Sequence, residues 1–401
     1  MCLMTKEKLL ALVEGKQKQR TASPAKIGGV VNERYTIITK LGGGVFATVW
    51  LAYDQRAKRY ISLKIPYDAT NAEHEVTVLR KISSTEPNHP GFEHVLSSNE
   101  VFGFGPSEND PPIGLKCIVS DVLGPSIVAF RTAPDRVSLP VNVVKQVTLQ
   151  LLFALNYLHQ YCDVIHTDIQ PANILLTLPD VEGAIRFHLA KSNLISGGDE
   201  MDNILPFDTS DTNHVKVKLI DFGAACWASD TNSKGIQPRD FRAPEVLLEG
   251  EWDSSVDIWN LGCLVYEMMT SKSLFNPEHK DDDNLQIEHM IQLLGPFPLD
   301  VIAVGKRSGD FFTSEGIFRK QVQFVGLTAL VKYALPPDQD PQDVDLLISF
   351  LEQMLALRSS ERAEALELIS HPWLEKTTEE YMVRLVAAAE APDIMMESIM
   401  T

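Results

Sequence analysis

At 401 residues, 44% hydrophobic and 22% charged, the chain has the composition of a soluble globular protein and length for two or three lobes. Its 23 glycines and 23 prolines, without a repeat, exclude a collagen-like or low-complexity chain. The formal net charge of −18, from 54 acids against 36 bases, disfavours direct nucleic-acid binding through a basic face and favours a basic partner. No apolar run approaches the roughly 18 residues that suggest a membrane span. The start, Met1-Cys2-Leu3-Met4 with Lys6, Glu7 and Lys8 close behind, is neither a secretory leader nor a myristoylation signal. Five widely spaced cysteines with no CxxC pair point to a reducing, intracellular setting.

Residues 1–30 carry six bases and two acids and read as a basic, flexible tail, with a short helix expected over Lys6–Val13. From Tyr35 the pattern is β. The runs Tyr35–Leu41, Thr48–Tyr53 and Tyr60–Ile65 are rich in β-branched and aromatic residues, separated by glycine-rich or polar turns. Val76, Leu79 and Ile82 at 3/4 spacing predict a helix over about Asn71–Ile82. Beyond Gly124 helical periodicity takes over, at Val143–Gln160, Ser255–Thr270, Ile287–Leu294, Asp343–Leu355 and Arg362–Leu366. The expectation is an α+β chain: a small β-rich lobe over 31–123 and a larger helical lobe over 124–375, with a C-terminal extension over 376–401.

The chemistry-bearing motifs follow in order. Leu41-Gly42-Gly43-Gly44 lies between two strand-like runs, where glycines let backbone N–H groups approach phosphates; a plain hairpin turn is the alternative. Lys64 ends the next run, placed to hold phosphates if it faces that turn. Glu75 on the following helix is its expected partner, because the spacing of its neighbours turns it inward, and Glu73 is the rival. Further on come His166-Thr167-Asp168-Ile169-Gln170-Pro171-Ala172-Asn173 and Leu219-Ile220-Asp221-Phe222-Gly223. Phosphoryl transfer needs a carboxylate at the attacking hydroxyl, which Asp168 supplies. It also needs oxygen ligands for Mg²⁺, which Asn173 and Asp221 supply. His166 reads as a packing residue. Ala243-Pro244-Glu245, Asp257-Ile258-Trp259 and the distant Arg362 read as structural, with a buried Glu245–Arg362 pair and Asp257 tying a helix to the loop of Asp168.

Taken together over about residues 35–375, these motifs resemble the eukaryotic protein-kinase superfamily. His371-Pro372-Trp373-Leu374 resembles the usual end of the domain, and Asn88-His89-Pro90-Gly91, Val122-Leu123-Gly124-Pro125, His166-Thr167-Asp168, Ala225-Cys226-Trp227 and Asp257-Ile258-Trp259 with Leu274-Phe275 are similar to the SR-protein-specific kinases. So is the 48-residue separation of Asn173 and Asp221, which makes about 177–214 a spacer insert. Its Ser, Gly, Asp and Asn content reads as a poorly ordered loop. The resemblance implies a bilobal fold and an ATP- and Mg²⁺-dependent Ser/Thr kinase acting on arginine/serine-rich splicing factors. The expected setting is the cytoplasm and nucleus, and a monomer is expected. Carried over by position, Ser120 is the gatekeeper and Asp121–Leu123 the hinge whose backbone binds adenine. Val49 and Leu175 sandwich the ring, with core packing as the alternative, and Ser126 touches the ribose. Glu278, Asp281, Asp282 and Asp283 would help form an acidic docking groove, a solvated acidic loop being the alternative.

Some positions depart from the superfamily pattern. Thr167 replaces an arginine that usually pairs with an activation-loop phosphate, which implies constitutive activity. Gln170 replaces the catalytic-loop lysine, Pro238 stands where a threonine would bond that loop, and Ser62 where alanine roofs the adenine. The competing expectations are a pseudokinase or scaffold that binds nucleotide or a basic partner with little turnover, and a small-molecule phosphotransferase.

Overall fold

The computed structural model describes residues 25–44, 46–67, 69–104, 115–128, 138–194, 212, 214–231, 235–275 and 282–390. The β-branched and aromatic runs of the first third form strands: β1 (Val30–Val31), β2 (Tyr35–Gly43), β3 (Ala47–Asp54), β4 (Arg59–Pro66), β5 (Glu100–Phe104) and β6 (Leu115–Ser120). They make one antiparallel sheet in the order β1-β2-β3-β4-β6-β5. Alternation sorts its two faces. Trp50, Ala52, Ile61, Leu63, Cys117 and Val119 pack with Tyr35 and Ile37 into the core of this lobe. Val49, Ser62, Lys64 and Ser120 have the opposite parity and turn to the other face. Helix α1 (Ala69–Ser84) buries Val76, Val78, Leu79 and Ile82 completely.

Past Ser120 the chain is mostly helical. The longer helices are α2 (Val141–Gln160), α3 (Val181–Leu194), α4 (Ser255–Thr270), α5 (Asp283–Leu294), α6 (Pro341–Met354) and α7 (Glu375–Glu390). One buried apolar cluster runs from Val76 in α1 through α2 and α4 to Trp373 and Leu374. Two ribbons interrupt the helices. Strand β7 (Val164–Ile165) pairs with β10 (Cys226–Trp227), and β8 (Ile174–Leu176) with β9 (Val217–Leu219). These ribbons hold the ends of the two loops, 166–173 and 220–225, that carry the motif residues. The architecture is thus the bilobal α+β fold expected from the sequence, with a β-sheet lobe followed by a helical one.

Of the insert expected as a loop, residues 195–211 and 213 lie outside the described residues, and its first part is helical. Helix α3 lies inside 177–214, and Val181, Ile185 and Leu189, four residues apart, give it an apolar stripe. Ile185 is fully buried against Leu51 of β3 and Val122, with Leu41 and Tyr60 beside them. Burial of that stripe outweighs the polar composition. The helix expected over Lys6–Val13 lies outside the described residues. Among the described residues, no helix is long and apolar enough to cross a membrane.

The extension also packs. Tyr381 of α7 stacks on Phe153 at 5.0 Å between centroids, and its hydroxyl lies 2.8 Å from Nε2 of His94. Nδ1 of His94 faces the carbonyl of Val217 at 3.1 Å, so Nδ1 donates and Nε2 accepts from the tyrosine. Burial pushes the His94 imidazole down to about 4, hence neutral.

Candidate active site

Lys64 is carried into the cleft by the alternation of β4. Its Nζ lies 2.6 Å from Glu75 Oε1 and 2.9 Å from Asp221 Oδ1. Burial by itself would lower this ammonium's pKa, but the two carboxylates raise it, so Lys64 is charged. The rival Glu73 pairs instead with Lys116. Burial would raise the Asp221 carboxyl, yet Lys64 holds it below the ordinary range. Asp221 has φ 66°, a left-handed conformation that an aspartate tolerates.

The loop of Asp168 is fastened from below. Asp257, fully buried near the start of α4, accepts hydrogen bonds from the backbone N–H groups of His166 and Thr167, both at 2.8 Å. His159 donates to the same carboxylate at 2.8 Å. Thr167, at φ 65°, is strained for a β-branched residue. Its hydroxyl donates to the Ala224 carbonyl at 2.8 Å, tying this loop to the segment after Asp221. His166 packs edge-on against Phe222 and donates through Nε2 to the Ile220 carbonyl at 3.0 Å, the packing role its position suggested.

Both oxygens of Asp168 are occupied. Gln170 Nε2 donates to Oδ1 at 2.7 Å and Asn173 Nδ2 to Oδ2 at 2.7 Å. Burial raises the Asp168 carboxyl above its ordinary range, and Asp221 adds to the rise; His166 and the two amides oppose it. Asn173 also donates to the Asp168 carbonyl at 2.9 Å. Its own Oδ1 takes no hydrogen bond from a described residue and, with the Asp221 carboxylate, forms an all-oxygen donor set. Two such ligands suit a divalent cation that draws its remaining ligands from water and phosphate.

The residues expected to line a nucleotide site lie as follows. Leu41, Val49, Leu123 and Leu175 are apolar yet only partly buried, as is Ser126, whose backbone bridges to Leu175. Gly42 is partly buried, and Gly43 and Gly44 are exposed at the turn. Ser62 is partly exposed and faces buried Ser120 across the β4–β6 ladder. The Asp121 side chain points away and accepts from Arg59 at 3.0 Å and Asn99 at 2.9 Å. No backbone group of Asp121–Leu123 is paired with backbone among the described residues, leaving a short edge open to a ligand.

Two members of the acidic cluster expected to help form a docking groove are described. Asp283 is ion-paired to Arg239 and to Arg307, each at 2.8 Å, and Asp282 caps α5 through Asn284 N at 2.9 Å. Both carboxylates are therefore engaged within the fold; Glu278 and Asp281 lie outside the described residues. Glu245 and Arg362 form the buried bidentate pair expected, at 2.7 Å twice. Sequence reasoning missed three positioning contacts. His74 donates to the Ala225 carbonyl at 2.6 Å, which holds α1 against the segment after Asp221. Gln237, at φ 67°, bonds Val256 O and Ala243 N, both at 2.9 Å, beside Pro238. Helix α3 walls the outside of Val122, and its four-residue stripe was the available signal.

A family model described as the protein kinase domain matches residues 35–374. The serine/threonine-protein kinase SRPK of Physarum polycephalum is 31% identical over 387 residues, covering 88% of this chain and 88% of that protein. A serine/threonine protein kinase of Aspergillus fumigatus is 32% identical over 360 residues, with 88% and 87% covered. Human SRSF protein kinase 3 is 24% identical over 506 residues, with 88% of each covered. A match running through both lobes, on a cleft where Lys64, Asp168, Asn173 and Asp221 converge, makes this chain a member of the protein kinase family, alongside the SRPK-type serine/threonine kinases.

Proposed function

We propose that the chain is a catalytically active kinase that uses ATP with Mg²⁺ and phosphorylates serine in arginine/serine-rich proteins. The convergence of Lys64, Glu75 and Asp221 beside a hydrogen-bonded Asp168 carries the reading. The glycines Gly42–Gly44 and Lys64 would embrace the phosphates. The free edge of Asp121–Leu123 would take the base between Val49 and Leu175, below Ser62 and Ser120, with Leu41 at the mouth and Ser126 near the ribose. Asn173 and Asp221 would hold Mg²⁺, which neutralises phosphate charge when bound. Asp168 would orient the substrate hydroxyl and take its proton, while Gln170 holds the carboxylate in place rather than reaching for phosphate.

The substrate class rests on two supports. Relatives carry names of kinases acting on SR-type splicing factors, and the net charge of −18 favours a cationic peptide. Cys117, Cys162 and Cys263 are buried cysteines outside any disulfide, which suits a cytoplasmic and nuclear protein. The chain would act as a monomer without binding nucleic acid.

The test is transfer of radiolabelled phosphate to an Arg-Ser repeat peptide beside a generic basic protein, with Asp168→Asn as control. Preferred labelling of the repeat peptide, slowed at least about 10²-fold in the variant, is expected. Nucleotide binding with no transfer to any protein would establish the pseudokinase reading instead.

A further inference from the structure

The segment that carries Pro238 is tied to the loop of Asp168 through the start of α4. Gln237, buried and at φ 67°, donates through Nε2 to the Val256 carbonyl and accepts from Ala243 N, both at 2.9 Å. Val256 precedes Asp257, whose carboxylate accepts from the N–H groups of His166 and Thr167 at 2.8 Å. Two anchors one residue apart on α4 thus hold Pro238, next after Gln237, beside Asp168, next after Thr167. Pro238 has φ −58° and ψ 146°, and its carbonyl accepts from Phe241 N at 3.0 Å. It has no N–H to offer, and its ring is half-exposed.

On the carboxylate itself, Gln170 spends its amide on Oδ1 and Asn173 holds Oδ2, each at 2.7 Å. The place where a substrate hydroxyl meets Asp168 is therefore bordered by a neutral amide and an apolar ring, at the two positions where a lysine and a threonine would offer a cation and a hydroxyl. That change falls unequally on two kinds of acceptor. An aliphatic hydroxyl is a very weak acid and gains from a charged donor beside the reacting oxygen. A phenol, with a pKa of about 10, releases its proton more readily and needs that donor less. Its oxygen also stands a ring's length farther from its own backbone, and the ring gains by lying on an apolar surface. Burial raises the Asp168 carboxyl above its ordinary range, which strengthens it as a base for that proton.

We infer that the chain phosphorylates tyrosine as well as serine in basic peptides, with Pro238 as the residue that seats the phenol ring. The inference goes beyond the serine activity proposed above and rests on the same kinase reading. The phenolic oxygen bonds to the γ-phosphorus of ATP, the bond from that phosphorus to the β–γ bridging oxygen breaks, ADP leaves with the electron pair, and the phenol proton passes to the Asp168 carboxylate. Gln170 holds that carboxylate in place for either acceptor, while the Pro238 ring lies against the tyrosine alone, because a serine has no ring to set on it.

The experiment uses the full chain with ATP and two arginine-rich peptides, identical except that one carries a single serine and the other a single tyrosine as acceptor. The kcat/KM for the tyrosine peptide should lie within about tenfold of that for the serine peptide. Pro238→Thr should lower the tyrosine-to-serine ratio of kcat/KM by roughly tenfold or more, the scale on which pocket contacts discriminate. Pro238→Ala, which also removes the ring, supplies the same readout if the threonine variant does not fold. Asp168→Asn should lose both activities together. Labelling of the serine peptide with no phosphotyrosine overturns the inference. So does a ratio that neither Pro238 variant moves, or tyrosine labelling that survives Asp168→Asn. Failure to label either peptide overturns the kinase reading itself, which separates the two failures.

Discussion

The side-chain amide of Gln170 donates to Oδ1 of Asp168 at 2.7 Å, at a position where protein kinases generally place a lysine. A charged donor has become a neutral one that faces the carboxylate. Asp168 is already raised by burial, and this hydrogen bond opposes the rise. Gln170→Leu should therefore raise the Asp168 carboxyl further. Because a base must be ionised to accept a proton, the acid limb of the kcat profile should move to higher pH. Gln170→Lys brings a cation to the carboxylate and should move the limb to lower pH. Identical pH profiles for wild type, leucine and lysine variants would remove Gln170 from the role proposed for it.

Arg362 is fully buried and Glu245 nearly so, and they meet in two parallel bonds of 2.7 Å each. Truncating one partner strands the other charge away from water. Arg362→Ala should cost about 3–5 kcal/mol of unfolding free energy, read from denaturant melts. Arg362→Lys should recover only part, because an ammonium cannot engage both oxygens in the planar fork. A loss under about 1 kcal/mol in the alanine variant would mean that water reaches Glu245 and repairs the site.

His94 is pushed from its ordinary 6.5 to about 4 by burial between Val217 and Tyr381. A histidine whose folded value is depressed gives stability that is complete above the unfolded value of 6.5 and is lost as pH falls toward about 4. The loss over that window is about 3 kcal/mol. Comparing melts of wild type and His94→Asn from pH 7 to pH 4 checks this. The difference between the two curves should shrink on acidification; a constant offset would show that His94 is not buried in its neutral form.

Helix α3 is held by Ile185, fully buried with Leu51 and Val122. Ile185→Asp places a carboxylate in that contact and should undock the helix. Hydrogen exchange should then accelerate over 181–190 and around Leu51, and leave the Glu245–Arg362 region protected. Unchanged exchange over the helix would mean that the contact is not what orders the insert.

The motif residues, their order and the two-lobed layout were legible in the sequence, because period-2 and period-3.6 patterns and glycine turns are local properties of the chain. Helical spacing already preferred Glu75 to Glu73, while the facing of Lys64 was settled by its contacts with Glu75 and Asp221. What the tertiary structure alone decided were contacts between residues far apart. Asp283, which the family resemblance placed in an acidic cluster, is ion-paired to Arg239 and Arg307, and no local pattern encodes that pairing. The first part of the insert is helical where Val181, Ile185 and Leu189 found the hydrophobic edge of the other lobe, since burial gained across a lobe boundary is invisible to propensity. Gln170 named a missing charge in the sequence; only the fold showed that its amide turns to Asp168, because a side chain's partner is set by what surrounds it in space.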